Sequence, residues 1–288
     1  MRPRQWLKNV FVFVALVFDG QLILEAFDTI WRVFVAFILF CLISSTIYIM
    51  NDLSDIEEDR LHPKKKFRPL PAGELPIGIA RFAMLFFGLG SLIASFWLDQ
   101  LWGTGLFIIL LSYTVLQIAY NLKLKRVVLL DVSAVAAGFV LRVAAGVAMF
   151  DETRFSPWLY LCIGLLALFL VLGKRRHELL IMGDDAANHR SILAEYSIPF
   201  IDQLVIIVTT SALVSYSLYT FLAEGLPDNN LMMLTIPFAF YALFRWLYLM
   251  NMHGRGGAPE DLVLEDRPLQ ICAILFVLMV IFVLYIAN

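Results

Sequence analysis

The sequence predicts an all-α membrane protein, a bundle of nine transmembrane helices. Three observations predict it: 61% of the residues are hydrophobic against 16% charged, apolar runs of spanning length recur from end to end, and basic residues gather in alternate connections. An ordinary soluble domain is about half apolar and a quarter charged, and a helix needs about 20 apolar residues to cross a bilayer. The runs leave no stretch for a soluble domain, so residues 1–288 read as one polytopic membrane domain.

The nine spans fall at residues 7–24, 29–50, 77–98, 102–120, 131–149, 157–173, 199–222, 231–250 and 269–287. The first follows Arg2 and Arg4 as a signal peptide would, but Asp19 and Gln21 stand where a small-residue cleavage site belongs. It is expected to be an uncleaved span. Cys41, Cys162 and Cys272 all fall inside spans without metal-ligand spacing, which points to neither disulfides nor zinc.

A net charge of -2 acquires meaning once the charges are sorted by connection. One set of connections carries Arg2, Arg4 and Lys8, then Arg60, Lys64, Lys65, Lys66 and Arg68, then Lys123, Lys125 and Arg126, then Lys174, Arg175, Arg176 and Arg190, then Arg255 and Arg267. The other set carries Asp19, Glu25, Asp28, Asp99, Asp151, Glu152, Glu224 and Asp228, with only Arg32 and Arg154 as basic residues. Positive charge marks the cytoplasmic side. The expectation is a multi-pass protein of the inner or plasma membrane, N-terminus cytoplasmic and C-terminus outside.

Three inside connections are long enough to carry chemistry. The first begins Asn51-Asp52-Leu53-Ser54-Asp55-Ile56-Glu57-Glu58-Asp59-Arg60 and continues the second span without a helix breaker. At roughly 100° per residue, with Asp55 at zero, Asn51 falls near -40°, Asp52 near +60° and Asp59 near +40°. Carboxylates sharing one face repel unless a cation neutralises them, and hard oxygen ligands suit Mg²⁺ shared with substrate phosphates. Asp52, Asp55 and Asp59 are therefore the candidate catalytic carboxylates, with Asn51 beside them as metal ligand. The plain alternative is a solvated acidic helix end.

Residues 62–73 follow with four cations and three prolines. Lys65, Lys66 and Arg68 can bind phosphate oxygens, Arg68 in bidentate fashion; a lipid-facing basic patch fits the same composition. In the second connection Tyr120, Lys123 and Lys125 precede a helix that opens on Asp131 and carries Gly138 and Arg142 within about 20° of the Asp131 direction. A guanidinium at that depth is costly in lipid and marks a functional site by default, though an ion pair between helices would also satisfy it. The third connection opens Gly173-Lys174-Arg175-Arg176-His177-Glu178 at the end of the sixth span. Arg245, inside the eighth span, fits cavity lining and structural pairing equally.

Asn51-Asp52-x-x-Asp55-x-x-x-Asp59-Arg60, followed by Arg68-Pro69-Leu70 and Gly73, resembles the first Asp-rich motif of the UbiA-type intramembrane prenyltransferase superfamily. The resemblance implies nine helices around a central cavity that opens to lipid, capped by cytoplasmic loops carrying the Asp motifs. Typical members carry a second pair of carboxylates four residues apart for a second Mg²⁺. Here Val135 stands four residues after Asp131, so that pair is broken.

One subgroup accommodates the break. Arg2-Pro3-Arg4-Gln5-Trp6-Leu7-Lys8-Asn9, the 120–131 segment, Gly138-Phe139-Val140-Leu141-Arg142 and Gly173-Lys174-Arg175 are similar to decaprenyl-phosphate phosphoribosyltransferases. That resemblance implies transfer of ribose 5-phosphate from 5-phosphoribosyl 1-diphosphate (PRPP) to a polyprenyl monophosphate, on the route to lipid-linked arabinose donors. It implies Mg²⁺ held by Asn51, Asp52, Asp55 and Asp59, joined by Asp131. Lys65, Lys66, Arg68, Lys123 and Lys125 would take the donor's 5-phosphate, and Lys8, Arg142, Lys174 and Arg175 the acceptor phosphate. A phosphate monoester has a second pKa near 6, so no protein base is required. Its partners are then PRPP, a polyprenyl phosphate and the membrane, with a homo-oligomer admissible and no nucleic acid. An aromatic prenyltransferase of the same scaffold and a transporter of phosphorylated solutes remain the competing expectations.

Overall fold

A computed structural model describes residues 3–18, 27–61, 65–150, 156–182, 191–223, 226–227, 229–254, 257 and 259–287. Arg2, Asp19, Lys64, Asp151, Arg190 and Arg255 lie outside the described residues, as does the end of the first expected span. Among the described residues all regular structure is helical. A 3₁₀ segment, Pro3–Phe13, runs into α1, Val14–Phe18. Then come α2 (Phe27–Ser54), α3 (Ile56–Leu61), α4 (Ile77–Trp102), α5 (Leu106–Leu122), α6 (Leu130–Val147) and α7 (Pro157–Met182). The chain finishes with α8 (Ile198–Leu222), α9 (Ile236–Met252), α10 (Pro259–Glu265) and α11 (Arg267–Ile281), the last running into a π turn, Phe282–Ile286.

Among the described residues seven helical stretches are long and apolar enough to cross a membrane, and two shorter apolar ones lie at Trp6–Phe18 and Leu106–Leu122. Local signals account for their ends. Ser197 accepts from the Phe200 amide ahead of α8 and Asp266 from the Leu269 amide ahead of α11, each with proline in the first turn. Asp99 takes the amides of Leu106 and Phe107 and so caps α5 from the preceding helix. Gly103, in the left-handed region, stops α4.

Two expectations are corrected. The helix through Asn51 and Asp59 bends at Asp55, between α2 and α3, although the amides of Asp55 and Asp59 still reach the carbonyls of Asn51 and Asp55. The sixth span does not stop at Gly173. That glycine sits inside α7, where the Met250 sulfur lies 3.5 Å from the place a Cβ would occupy, and the Lys174–Glu178 run is helical.

The chain divides into two compact units. The first comprises Met1–Leu16, Leu22–Leu122 and Leu141–Thr153. Its core joins Val12, Val33, Phe40, Leu106, Leu110, Tyr113 and Met149. At Gly146 a Cβ would overlap the Val12 carbonyl oxygen, so only glycine lets the N-terminal segment lie this close to α6. The apolar window of α2 is 61% buried and that of α4 only 11%. The first is therefore the unit's central helix, while α4 turns Phe82, Phe86, Leu89 and Ile93 outward, as a lipid-facing helix does.

The second unit comprises Val17–Gln21, Lys123–Val140 and Arg154–Asn288. Phe169, Leu172, Ile201, Val205, Trp246, Leu249 and Leu269 form its core. Arg245 donates to both oxygens of Asp266, at 3.2 and 2.8 Å. This resolves its assignment in favour of a structural pair, one that also steadies the α11 cap.

Candidate active site

The first polar cluster lies where α2 gives way to α3. Leu70, buried beside Ile49 and Ala80, anchors the loop that returns toward α4. Amides of Ala72, Gly73 and Leu75 close tight turns onto Arg68, Leu70 and Pro69, with Gly73 at φ +78°. This scaffold presents Arg68 to the acidic helix end. Its NH1 reaches Asp59 Oδ2 at 2.5 Å and Asp52 Oδ1 at 3.2 Å. Asp59 has 2% of its side chain exposed, Asp52 17% and Arg68 31%, so this is a partly dry pair of carboxylates closed by one guanidinium.

Asn51 and Asp55 are half-buried at the same helix end. Glu57, by contrast, is exposed and pairs with Arg60 at 2.9 Å. Lys66 is exposed, with its ammonium 5.1 Å from the Phe67 ring centre, and the side chain of Lys65 lies outside the described residues. Lys8 and Tyr120, in the same unit, are half-buried.

A second cluster of the first unit surrounds Arg142. Its Nε donates to Asn9 Oδ1 at 2.8 Å and its NH2 to the Tyr113 hydroxyl at 2.7 Å, with the guanidinium 4.8 Å from that ring's centre. Asn9 in turn donates to Ser44 Oγ at 3.1 Å and Cys41 Sγ at 3.3 Å. A guanidinium 6% exposed is thus held by neutral acceptors from the N-terminal segment and α5. Sequence reasoning missed Tyr113, which no motif flags; Asn9 was visible only as the last residue of the basic N-terminal segment.

The third cluster belongs to the second unit. Asp131 is fully buried; one oxygen accepts from the Tyr196 hydroxyl at 2.7 Å and the other from Arg175 Nε at 3.1 Å. Arg175 NH1 continues to Glu178 at 2.6 Å. Tyr196 also accepts the Leu129 amide at 2.8 Å, and Leu129 adopts φ +67°, a strained value for leucine. Burial first, then the bond to Asp131, pushes the Tyr196 phenol up to about 12, which keeps it a donor at neutral pH. Arg176, next in the chain, is buried and donates to Asp202 at 2.6 Å and the Met250 carbonyl at 3.2 Å. Lys123 and Lys174 are exposed and Lys125 half-buried.

Asp131 and Arg142, expected as one stripe on one helix, therefore serve different networks. The chemistry of the oxygen-rich helix end fits Mg²⁺, which takes one or two carboxylates and completes its shell with water and substrate phosphate. Among the described residues no three His, Cys, Asp or Glu side chains converge as a ready-made metal set. A metal at this helix end thus has to draw part of its shell from the substrate.

Residues 10–194 match the UbiA prenyltransferase family. Along nearly the whole length, the chain is 35% identical to the decaprenyl-phosphate phosphoribosyltransferase of Mycolicibacterium smegmatis, covering 94% of this chain and 86% of that one. It is 33% identical to the protein of the same name from Corynebacterium glutamicum, covering 99% and 86%. In fold it is similar to a UbiA homolog from Archaeoglobus fulgidus solved with GPP and Mg²⁺, at TM-score 0.71 and 16% identity over 98% of this chain and 97% of that one.

Proposed function

This chain belongs to the UbiA prenyltransferase family, and on that premise we propose that it transfers the 5-phosphoribosyl group of PRPP to a decaprenyl-like polyprenyl monophosphate, releasing diphosphate. The names of the relatives from M. smegmatis and C. glutamicum support this reading. Asp131 is the observation that carries it over prenyl transfer. The position four residues on is Val135, packed against the hydrophobic core, and Asp131 itself is bonded to Tyr196 and Arg175. On this helix no second carboxylate stands four residues after Asp131 to form a pair with it.

In this reading Asp52, Asp55 and Asp59, with Asn51, would hold Mg²⁺ for the donor's diphosphate, and Arg68, expected from the sequence at the 5-phosphate, would bind the diphosphate oxygens instead because it lies against Asp59 and Asp52. When bound, Mg²⁺ withdraws charge onto the departing diphosphate. The acceptor phosphate forms its bond to ribose C1 from the opposite face as the bond to diphosphate breaks, with oxocarbenium character at C1. The configuration at C1 inverts, and no proton moves, because the acceptor is already anionic. Within the first unit Lys8 and Arg142 are candidates for the acceptor phosphate and Lys65 and Lys66 for the donor's 5-phosphate, with Tyr120 a further substrate-binding candidate; within the second unit Lys174 and Arg175 are acceptor candidates and Lys123 and Lys125 donor candidates. The nine-span, single-domain arrangement, with N-terminus and site cytoplasmic, agrees with the charge sorting and puts the site where soluble PRPP is available.

Purified protein given ribose-labelled PRPP and decaprenyl phosphate should label the lipid and release one diphosphate per label. Diphosphate release without lipid labelling would mean hydrolysis and defeat the proposal.

A further inference from the structure

Arg68 occupies the carboxylate pair that the proposed reaction assigns to a metal, and the two uses exclude one another. One guanidinium nitrogen bridges Asp59 and Asp52 at 2.5 and 3.2 Å, in a place where Asp59 is 2% exposed. A divalent cation entering beside that guanidinium would meet a like charge at contact distance, poorly screened by water. A metal on these oxygens therefore requires Arg68 to leave them. Arg68 is 31% exposed and sits on a loop pinned by Leu70 rather than by its own head group, so its side chain can turn without unseating the loop. Guanidinium pairs as well with phosphate as with carboxylate, so a diphosphate arriving with the metal offers it a new partner.

We infer that Arg68 is a built-in counter-cation that holds Asp52 and Asp59 closed to divalent metal until a diphosphate draws it away. The inference rests on reading the Asn51–Asp59 segment as a Mg²⁺-diphosphate clamp. It makes metal and donor bind together: metal alone competes with Arg68, donor alone meets the negative charge of the carboxylates, and the metal-diphosphate complex satisfies all three side chains. Removing the guanidinium should then tighten metal binding in the absence of substrate while weakening donor binding. A residue that merely binds phosphate gives only the second effect.

The test is direct binding, read without turnover. Mn²⁺ binding to the full-length detergent-solubilised protein is followed by electron paramagnetic resonance, with and without PRPP, in wild type, Arg68→Gln and Arg68→Lys. A contact charge shifts a carboxylate's affinity for a proton by one to three powers of ten, so Arg68→Gln should bind Mn²⁺ alone at least about tenfold more tightly than wild type. The same variant should bind PRPP in the presence of Mn²⁺ at least about tenfold more weakly, since a charge-assisted pair is lost. Arg68→Lys, which keeps charge but not the fork, should fall between; it decides the matter if the glutamine variant fails to fold. Unchanged or weaker binding of Mn²⁺ alone to the substituted protein overturns the inference. Absence of Mn²⁺ binding from every form, even with PRPP, overturns the clamp reading together with it, so the two failures are told apart.

Discussion

Tyr196 gives its hydroxyl hydrogen to Asp131, 65 residues earlier in the chain, at 2.7 Å. The same oxygen takes the amide of Leu129, so one phenol fastens the turn ahead of α6 and the first carboxylate of that helix. Tyr196→Phe leaves a buried carboxylate and a part-buried amide each short of one bond, and a loss of about 1–3 kcal/mol follows. Thermal melts should show it. Because both residues serve one network, Asp131→Asn should cost less in the Tyr196→Phe background than alone, by at least about 0.5 kcal/mol. Strict additivity would mean the bond does not link them energetically.

The acidic helix end makes a contrast between neighbours. Asp52→Ala, Asp55→Ala and Asp59→Ala should each lower turnover by about a hundredfold or more, equivalent to about 3 kcal/mol of transition-state stabilisation. Glu57 is exposed and bonded to Arg60, and Glu57→Ala should stay within about twofold, as exposed pairs contribute little. Equal damage from Glu57→Ala and Asp55→Ala would remove the basis for choosing one face.

Chelation probes the same carboxylates chemically. Excess EDTA should bring lipid labelling to background, and Mg²⁺ added beyond the chelator should restore it, since the acidic face and a diphosphate together carry more negative charge than Arg68 alone can offset. Full activity in the chelator would rule out the clamp.

Orientation is tested at positions that do no structural work. Asp99 caps α5, so a cysteine there would perturb the helix; Gln100 and Ala72 are exposed alternatives. In sealed cells Gln100→Cys should react with an impermeant thiol reagent and Ala72→Cys should not. The native Cys41, Cys162 and Cys272 lie within helices of spanning character. The reverse pattern would put the Asp-rich helix end outside the cell, away from soluble PRPP.

Most of the helical order was legible because a bilayer demands long apolar runs, and α2, α4 and α8 begin or end within a few residues of the runs that announce them. The acidic face was legible because residues 51–59 are contiguous and a helical period converts sequence into direction. What stayed hidden was contact between distant segments. Nothing linear ties Arg142 to Asn9 and Tyr113, Asp131 to Tyr196, or Arg176 to Asp202. The bend at Asp55 and the run of α7 past Gly173 were also hidden.

One paired assay separates a phosphoribosyl donor from a prenyl donor. Purified protein with Mg²⁺ receives ribose-labelled PRPP and decaprenyl phosphate in one tube, and labelled decaprenyl diphosphate with 4-hydroxybenzoate in the other. Label should enter a phosphoribosyl lipid in the first tube, and no prenylated aromatic should form in the second. Prenylated 4-hydroxybenzoate in the second tube, with an unlabelled lipid in the first, would make the chain a prenyltransferase and not a phosphoribosyltransferase.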